Sequence, residues 1–290
     1  MFENEKNISA VLDEYYTGRI QTTIQNLNKV RINAYYAKDR IEAKGVILNL
    51  IDDSLSYTKQ HYHKGDTKQT IGFGDSLTLH QIDLFEAIYD HYLPKNLVGG
   101  GKIQLINPFE RLEDGRYSEF KNLEKGWIEP ELYDAAYLRV MEKMRQCLLS
   151  DVFITSANAI TTQGEIISTD GVGNRLAGVI FGPYKVIIIV GRNKIVDSEE
   201  EGVQKIKNFT TPVNHLRHAL MHSRRDEEGN ILEKDSLYQL SKLPCSKKGH
   251  CYNCGAPNCS RRVTMVMRSP TGGSLRNRMH VVIINEDLGI

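Results

Sequence analysis

The apolar run Val186-Ile-Ile-Ile-Val190, followed by the turn Gly191-Arg-Asn-Lys194, is the stretch of sequence that decides the fold. Five consecutive β-branched residues are typical of a strand that is buried on both faces, as the strands of a parallel sheet are. Two similar runs lie at Val152 to Thr155 and at Glu165 to Ser168, and segments with helical spacing occur between such runs. The pattern therefore predicts an α/β fold in which crossover helices flank a mostly parallel sheet.

Periodic spacing predicts the remaining elements around this central run. Further strands are expected at Val30 to Ala37, Thr70 to Gly74, Lys102 to Ile106, Val263 to Arg268 and Met279 to Asn285, and the last two should bring the chain back into the sheet. Helices are expected at Ile41 to Ile51, after Ser76, at Glu131 to Leu149, after Ser198 and at Pro212 to His222. Amphipathic spacing in residues 1–28 predicts an N-terminal helical segment ahead of one α/β domain at residues 29–290.

Composition limits the classes of partner. The 37 Lys and Arg residues against 36 Asp and Glu residues give a net charge of +1, so no overall field attracts nucleic acid or an anionic membrane. The longest apolar run has five residues, far below the roughly 20 needed to cross a bilayer. The chain starts Met-Phe-Glu-Asn-Glu-Lys, without the charged and apolar regions of an export signal. We therefore expect a soluble, cytoplasmic protein that binds neither nucleic acid nor membranes.

Four of the five cysteines lie close together, in Cys245-Ser-Lys-Lys-Gly-His-Cys251-Tyr-Asn-Cys254-Gly-Ala-Pro-Asn-Cys259. Four thiolates converge on one ion or cluster only where the backbone between them turns tightly, which the Gly and Pro residues of this stretch permit. The spacing C-x5-C-x2-C-x4-C therefore predicts a four-cysteine metal loop at residues 244–262, with Cys245, Cys251, Cys254 and Cys259 as ligands.

Alternatives to this metal centre stay open. Paired disulfides would require an oxidising compartment, whereas a redox or regulatory thiol cluster would not. The metal is also open, because a closed site of four thiolates suits zinc while the three short gaps resemble the ferredoxin pattern C-x2-C-x2-C-x3-C. A [4Fe-4S] cluster is the first expectation, and zinc is the alternative.

Two other groups of metal-binding residue types are interpreted as structural. His215, His218 and His222 fall on one face of a predicted helix, but no acid occupies the Glu position of the zinc motif H-E-x-x-H. A packed or exposed histidine face is therefore favoured over a metal site. Cys147, on the helix before Val152, is interpreted as a buried apolar residue.

Four polar segments adjoin predicted strands and carry groups that bind anions: Gly72 to Thr78, Thr155 to Thr161, Asp170 to Arg175 and Asn193 to Lys194. Because open α/β sheets bind ligands outside the carboxyl ends of their strands, we expect these segments to converge there around a small anionic metabolite. For the first segment, a tight turn with a helix N-cap is the alternative. The candidate ligand-binding residues are Gly72, Gly74, Asp75, Ser76, Thr78, Asn158, Asn174, Arg175, Asn193 and Lys194. Asp170 or Glu286 is the candidate catalytic acid–base residue, with the alternative that Asp170 only holds Arg175 in place.

In these segments the chain resembles the LUD family of lactate-utilisation proteins, from about Ala34 to Ile290. The resemblance is carried, in order, by Gly72-Phe-Gly-Asp-Ser-Leu-Thr-Leu79, Thr155-Ser-Ala-Asn-Ala-Ile-Thr161, Asp170-Gly-Val-Gly-Asn-Arg175, Gly182-Pro183, Asn193-Lys-Ile-Val196, the four-cysteine loop and Asn285-Glu-Asp-Leu-Gly-Ile290. It implies a Rossmann-like sheet of the ribose-phosphate isomerase and CoA-transferase superfamily. It also implies a place in lactate oxidation beside partner subunits that hold iron–sulfur clusters.

Three functions are consistent with these patterns. The first expectation is a LUD-type protein that binds a small anionic metabolite and a four-cysteine metal or iron–sulfur centre in hydroxy-acid redox metabolism. The second is an isomerase or transferase that acts on a phosphorylated or CoA-linked substrate and holds structural zinc. The third is a non-catalytic accessory subunit.

Overall fold

The fold is described from a computed structural model of the 290-residue chain. The structure describes residues 8–63, 67–98, 102–110, 130–221, 223–226, 228, 230–233, 239–269 and 277–290. The parts of the sequence predictions that fall on residues 1–7 and on His222 lie outside these ranges.

Twelve strands occur in the described ranges and form three sheets. They are β1 (Asn33–Ala37), β2 (Gln69–Phe73), β3 (Ile103–Ile106), β4 (Val152–Thr155), β5 (Ala159–Thr161), β6 (Ile166–Asp170), β7 (Lys185–Gly191), β8 (Ile195–Val196), β9 (Arg224–Arg225), β10 (Ile231–Glu233), β11 (Val263–Met267) and β12 (Met279–Ile284). The main sheet has six strands in the order β1-β12-β7-β4-β2-β3, and every neighbouring pair in it is parallel. The predicted α/β fold with a parallel sheet is confirmed, and β7, which contains the run Val186 to Val190, lies inside that sheet.

Helices connect these strands and cover the main sheet. They are α1 (Ile8–Lys29), α2 (Arg40–His61), α3 (Leu77–Gln81), α4 (Leu84–Val98), α5 (Pro130–Cys147), α6 (Asn174–Ile180), α7 (Glu199–Lys205), α8 (Thr211–Met221) and α9 (Pro244–Lys248). A π-helical turn, Ile206–Thr210, joins α7 to α8, and 3-10 turns lie at Arg192–Lys194 and Leu240–Lys242. No helix in the described ranges combines the length and apolarity that a membrane-spanning segment requires.

Alternate residues of β7 pack into two separate cores. Ile187 and Ile189 lie in a cluster with apolar side chains of α2, α3 and α4. Val186, Ile188 and Val190 lie in a second cluster with side chains of α1 and α6. Every residue of β7 is buried. A strand covered on both faces needs apolar residues at consecutive positions, which is why this run shows no polar alternation.

Two of the predicted strands belong to a second, smaller sheet, with the order β11-β6-β5-β8. In it β6 pairs antiparallel with both β5 and β11. The expectation that the strand at Val263 to Arg268 returns to the main sheet was therefore wrong, and of the last two strands only β12 does so. The inner side of the small sheet, including Ile166 and Met265, packs into the second core. A short apolar run is equally compatible with a strand of the main parallel sheet and with a strand of the small antiparallel sheet, so the sequence pattern did not distinguish the two.

Helix boundaries differ from the predictions at two places. The helix expected after Ser76 is split, because α3 ends at Gln81 and Asp83 adopts a positive φ of 49° before α4 begins. The helix expected at Ile41 to Ile51 continues to His61 as α2. The predicted caps are present: the Ser76 side chain accepts a hydrogen bond from the Thr78 amide, and Ser198 caps α7.

Candidate anion-binding cavity and four-cysteine loop

A cavity of about 520 Å³ lies at the carboxyl edge of the main sheet. This volume falls in the range of small-molecule sites, roughly 300–1,000 Å³. Its walls come from the strand-end turns, α5, α8 and the end of the four-cysteine loop. The predicted metal ligand Cys259 lines it, and so do seven of the predicted ligand-binding and catalytic residues: Asp75, Ser76, Asn158, Asp170, Asn174, Arg175 and Lys194. The segment from Asp170 to Arg175 reaches this cavity from β6 of the small sheet, whereas the other segments come from the main sheet.

Lys194 occupies the carboxyl end of β7 with a side chain that is only 3% exposed. Its Nζ donates to Thr78 Oγ1 at 3.0 Å and to Ser156 Oγ at 2.9 Å, two hydroxyls that follow β2 and β4. Burial lowers the pKa of Lys194 well below its ordinary value, and the positive charges of Lys205 and Arg175 lower it further. The hydrogen-bond partners of Lys194 in the described part of the chain are therefore neutral, and no carboxylate among them offsets its charge.

Arg175 lies on the cavity wall and is held there by Asp170. Asp170 Oδ2 accepts hydrogen bonds from the amides of Arg175 (3.0 Å) and Leu176 (3.3 Å), so it caps the first turn of α6. Asp170 Oδ1 lies 3.1 Å from Arg175 Nη2, which also donates to Thr169 O and to Asn158 Oδ1. These contacts favour the interpretation that Asp170 positions Arg175 over the interpretation that it acts as an acid–base residue.

Several buried polar atoms around this cavity have no hydrogen-bond partner in the described residues. They are Arg175 Nε, Thr210 Oγ1 and Thr211 Oγ1 in the cavity lining, together with Lys205 Nζ outside the lining. Burial also lowers the pKa of Lys205. Thr210 and Thr211 line the cavity because the π-helical turn before α8 places both of them there, and such turns are frequent at functional sites. Unpaired buried donors are costly, so a group of them beside a cavity favours a ligand that supplies acceptors.

The two glycines of the first predicted segment contribute to packing instead of to the cavity lining. A Cβ on Gly72 would lie 3.0 Å from the backbone of Cys147, so this glycine lets α5 approach β2 closely. The Gly74 amide donates to Ile154 O at 2.9 Å as part of the ladder between β2 and β4. That amide is therefore engaged in the sheet and cannot donate to an anion.

Asn193 and Glu286 also lie outside the cavity lining. Asn193 Oδ1 accepts a hydrogen bond from the Leu288 amide, which fixes the segment after β12 against the turn that follows β7. The carboxylate of Glu286 accepts from Arg40 Nε at 2.8 Å and forms an ion pair with Nη2 of the same residue. The segment after β12 does reach the cavity, through Gly289 and Ile290, but the Glu286 side chain is paired with Arg40 and is not part of the lining.

One helix contributes cavity residues that the sequence analysis did not assign to the ligand. Asn214, His215, Arg217 and His218 of α8 all line the cavity, and Arg217 Nη2 lies 3.6 Å from Asp75 Oδ2. The polar face of this helix was visible in the sequence, but the histidines on it suggested only a metal site, which was disfavoured. In the described residues, no group of three His, Cys, Asp or Glu side chains has the arrangement of a metal site.

The four predicted ligand cysteines are free thiols that lie near one another. Cys245 and Cys251 are buried and Cys254 is exposed. Burial raises the pKa of Cys245, and the charges of Cys251, Cys259 and Cys254 raise it further. Cys147, the fifth cysteine, is buried and donates to Ile106 O, and burial raises its pKa to about 12. The interpretation of Cys147 as a structural residue agrees with this position.

Hydrogen-bond donors are directed at three of the four sulfurs. Cys251 Sγ accepts from Arg261 Nε at 3.3 Å, and Cys259 Sγ accepts from the Arg261 amide at 3.4 Å. Cys245 Sγ lies 3.2 Å from Nδ1 of His215. Arg261 and His215 thus place N–H groups beside the sulfurs of three predicted ligands. The chemistry of four cysteine sulfurs therefore suits a metal or cluster, but the described side chains do not have the arrangement of a metal site.

Comparison with known proteins gives two results. The sequence model of the LUD domain family matches residues 20–223, which include the strand-end segments of the cavity but not the four-cysteine loop. Among solved structures, the chain is similar to a crystal structure of a DUF162 family protein from Deinococcus radiodurans, with 11% sequence identity, a TM-score of 0.34, and coverage of 94% of this chain and 98% of that one. The comparison with curated proteins found no match.

Proposed function

We propose a lactate-utilisation-type function for this chain, which belongs to the LUD domain family: it binds a small anionic metabolite, such as a hydroxy acid, in the cavity at the carboxyl edge of the main sheet. A cytoplasmic location and a role in hydroxy-acid redox metabolism, beside iron–sulfur partner subunits, are parts of this proposal. The observation that carries it is the buried Lys194 in the cavity lining, with Arg175 beside it.

Lys194, Lys205 and Arg175 lie close enough for their charges to act on one another, and Asp170 is the carboxylate paired with Arg175. Among the described residues, the hydrogen-bond partners of Lys194 are two hydroxyls. A buried ammonium without a counterion is unfavourable, and a bound carboxylate or phosphate offsets that cost. Lys194 and Arg175 would then contact the anion, and Ser76, Thr210 and Thr211 would add hydroxyl donors on the cavity wall.

The four-cysteine loop forms the second part of the proposal, with Cys245, Cys251, Cys254 and Cys259 as the residues that would hold a [4Fe-4S] cluster or zinc. A bound iron–sulfur cluster would supply one-electron transfer, whereas zinc would supply a structural cross-link. The residues of this chain contribute the thiolates, the Arg261 and His215 donors directed at them, and the exclusion of water around Cys245 and Cys251.

A second candidate function is an isomerase or transferase that acts on a phosphorylated or CoA-linked substrate. The number of cations favours it, because Arg217 and Arg262 line the cavity together with Arg175 and Lys194. A phosphate dianion uses more cationic partners than the single carboxylate of a hydroxy acid does. The two candidates therefore differ in whether phosphate or lactate binds more tightly.

Calorimetric titration of L-lactate, inorganic phosphate and coenzyme A into the full chain tests the cavity. We expect the preferred anion to bind about 30-fold or more weakly to Lys194→Met and to Arg175→Ala, because loss of a charged partner of a bound anion costs roughly 2–5 kcal/mol. Lys185→Met is the matched control: Lys185 is also buried, but it starts β7 and donates to Asn277 O at the opposite end of the strand. Equal affinity in the parent, Lys194→Met and Arg175→Ala would contradict the proposal.

Anaerobic purification, metal analysis and a visible spectrum test the four-cysteine centre. Replacing any one of the four loop cysteines with Ser should abolish stoichiometric metal, while the control Cys147→Ala should keep it. Broad visible absorption would identify an iron–sulfur cluster, since the filled d shell of zinc gives no visible bands. Full metal retention in all four loop variants would show that these cysteines are not the ligands.

A further inference from the structure

We propose that His215 is a positioning residue that links the four-cysteine loop to the anion cavity. One of its ring nitrogens faces the sulfur of Cys245 in the loop, and the other faces the loop segment that forms a wall of the cavity. This inference rests on the proposed function, because it assumes that the loop binds a metal and that the cavity binds an anion. It adds that occupation of one site strengthens the other.

The hydrogen bonds of His215 fix which nitrogen carries its proton. Nε2 accepts a hydrogen bond from the backbone amide of Ser260 at 2.9 Å, and an amide N–H can only donate. Nε2 is therefore unprotonated, and in the neutral ring the proton lies on Nδ1. Nδ1 faces Cys245 Sγ at 3.2 Å and donates to it. This arrangement makes His215 a donor to the sulfur of a ligand, not itself a ligand.

Both ends of this connection are buried or constrained. His215 is 1% exposed and Cys245 is 3% exposed, so neither has water as an alternative partner. Ser260 also places its hydroxyl 2.9 Å from Nε2, which gives the serine two contacts with one ring nitrogen. A change in the position of Cys245 is therefore transmitted through a rigid ring to Ser260.

Ser260 belongs to the wall of the cavity, together with Cys259 and Arg262. Its backbone packs against the turn that carries Arg175: a Cβ on Gly171 would lie 3.4 Å from Ser260 Cα and 3.3 Å from Cys259 O. The amide of Arg262 donates to Asp170 O at 2.9 Å. The position of the loop thus bears on the residue pair, Asp170 and Arg175, that we assign to the anion.

A second contact joins the loop to the other side of the cavity. The amide of Cys251 donates to Lys207 O at 2.8 Å, within the π-helical turn that ends at Thr210. Cys245 and Cys251 therefore contact elements that carry cavity residues, and Cys259 lies in the cavity wall itself. Binding of a metal that draws the four thiolates together should order both elements, and linkage requires that a bound anion strengthens metal binding in return.

Two substitutions of the same residue separate its two contacts. The side-chain amide of Asn can place an N–H near the position of Nδ1, so His215→Asn keeps a donor to Cys245 and loses the acceptor for Ser260. The longer Gln can place its oxygen near the position of Nε2, so His215→Gln keeps an acceptor for Ser260 and loses the donor to Cys245. The variants are matched in chemistry and differ in which contact they keep.

Each variant is titrated with Co²⁺, read by its thiolate absorption bands, and the Co²⁺-loaded protein is titrated with inorganic phosphate and L-lactate. For His215→Gln we expect Co²⁺ affinity to fall about 10- to 100-fold, the range for loss of an outer partner of a metal ligand, with a shift of the thiolate bands. Its anion affinity, once loaded, should match the parent. For His215→Asn we expect parent-like Co²⁺ affinity and an anion affinity lower by about 5-fold or more.

Equal losses of Co²⁺ affinity and anion affinity in both variants, or parent-like affinities in both, would overturn the inference. If His215 only filled space, the two substitutions would not affect the two affinities differently. If neither variant folds, the parent decides the question: its anion affinity should rise when Zn²⁺ is added, and equal affinities with and without Zn²⁺ overturn the link. A parent chain that binds no metal, or no anion, refutes the proposed function itself and is recognised before any variant is compared.

Discussion

His280 provides a pH test of the packing of the main sheet. It lies on β12, is 9% exposed, and Nε2 has no hydrogen-bond partner in the described residues, while Nδ1 lies 3.3 Å from the Tyr35 hydroxyl. Burial, reinforced by the positive charge of Lys185, lowers the pKa of His280 from 6.5 to about 4. The folded state therefore favours the neutral ring.

The sign of the effect follows from the two pKa values. Between about pH 6.5 and pH 4 the unfolded ring binds a proton and the folded ring does not, so the free energy of unfolding falls as the pH is lowered through this window. At about 1.4 kcal/mol for each tenfold difference in proton affinity, the full loss is about 3 kcal/mol and is complete below about pH 4. Above pH 6.5 the contribution is constant.

Urea unfolding of the parent and of His280→Gln at a series of pH values measures this effect. Gln can keep a hydrogen bond with Tyr35 but does not titrate, so the variant should lose less stability than the parent between pH 6.5 and pH 4. The dependence of the unfolding free energy on urea concentration should be similar in both proteins, which controls for a change in the extent of unfolding. Parallel pH profiles for parent and variant would refute the assignment of a buried, neutral His280.

Three further substitutions test other parts of the structure by urea unfolding. Lys194→Met should stabilise the chain by roughly 1 kcal/mol or more, because it removes a buried ammonium whose lowered pKa records an unfavourable charge; a loss of stability would contradict this. Arg278→Ala should lower the free energy of unfolding by about 3 kcal/mol or more. Arg278 is buried and donates to the carbonyls of Gly178, Val179 and Pro183 at the end of α6. A loss below about 1 kcal/mol would show that water replaces these bonds. Gly182→Ala should lower the free energy of unfolding by at least about 1 kcal/mol, because Gly182 has a φ of 120° and an added Cβ would collide with Leu148 O. The control Gly45→Ala in α2 should not destabilise the chain, because an added Cβ there meets nothing within 4 Å.

The main sheet was predictable because strands that are buried on both faces are apolar at consecutive positions, a pattern that is visible in the sequence. The run at Val186 to Val190 is buried on both faces and therefore apolar at every position, and the predicted strand at Val152 to Thr155 matches β4 from end to end. The small sheet was not predictable, because short runs such as β6 and β11 are compatible with parallel and with antiparallel pairing. Pairing depends on contacts between residues about 100 positions apart, such as Val263 with Asp170, and periodicity contains no such information.

The cavity was predictable where its residues follow strands. Asn158 and Lys194 could be placed at one edge because they follow β4 and β7, and the ends of parallel strands meet there, whereas Arg175 reaches the same cavity from the small antiparallel sheet. Gly74 and Glu286 follow strands too, yet one completes the sheet ladder and the other pairs with Arg40. The side-chain partners that distinguish these outcomes lie far away in sequence. The contribution of α8 was missed for the same reason, because the residues on one face of a helix do not indicate which part of the protein they will contact.

The pH dependence of anion binding tests most directly the claim that buried cations at this cavity bind a metabolite. The pKa of Lys194 is lowered in the free protein, and a bound anion should raise it again, so binding should be accompanied by proton uptake. Calorimetry of lactate and phosphate binding, in buffers of different ionisation enthalpy, measures this uptake. We predict that one of these anions binds, that its affinity falls as the pH rises through the lowered pKa of Lys194, and that Lys194→Met takes up fewer protons than the parent. Absence of binding by either anion, or an affinity and proton uptake that are identical in the parent and Lys194→Met, would contradict the account.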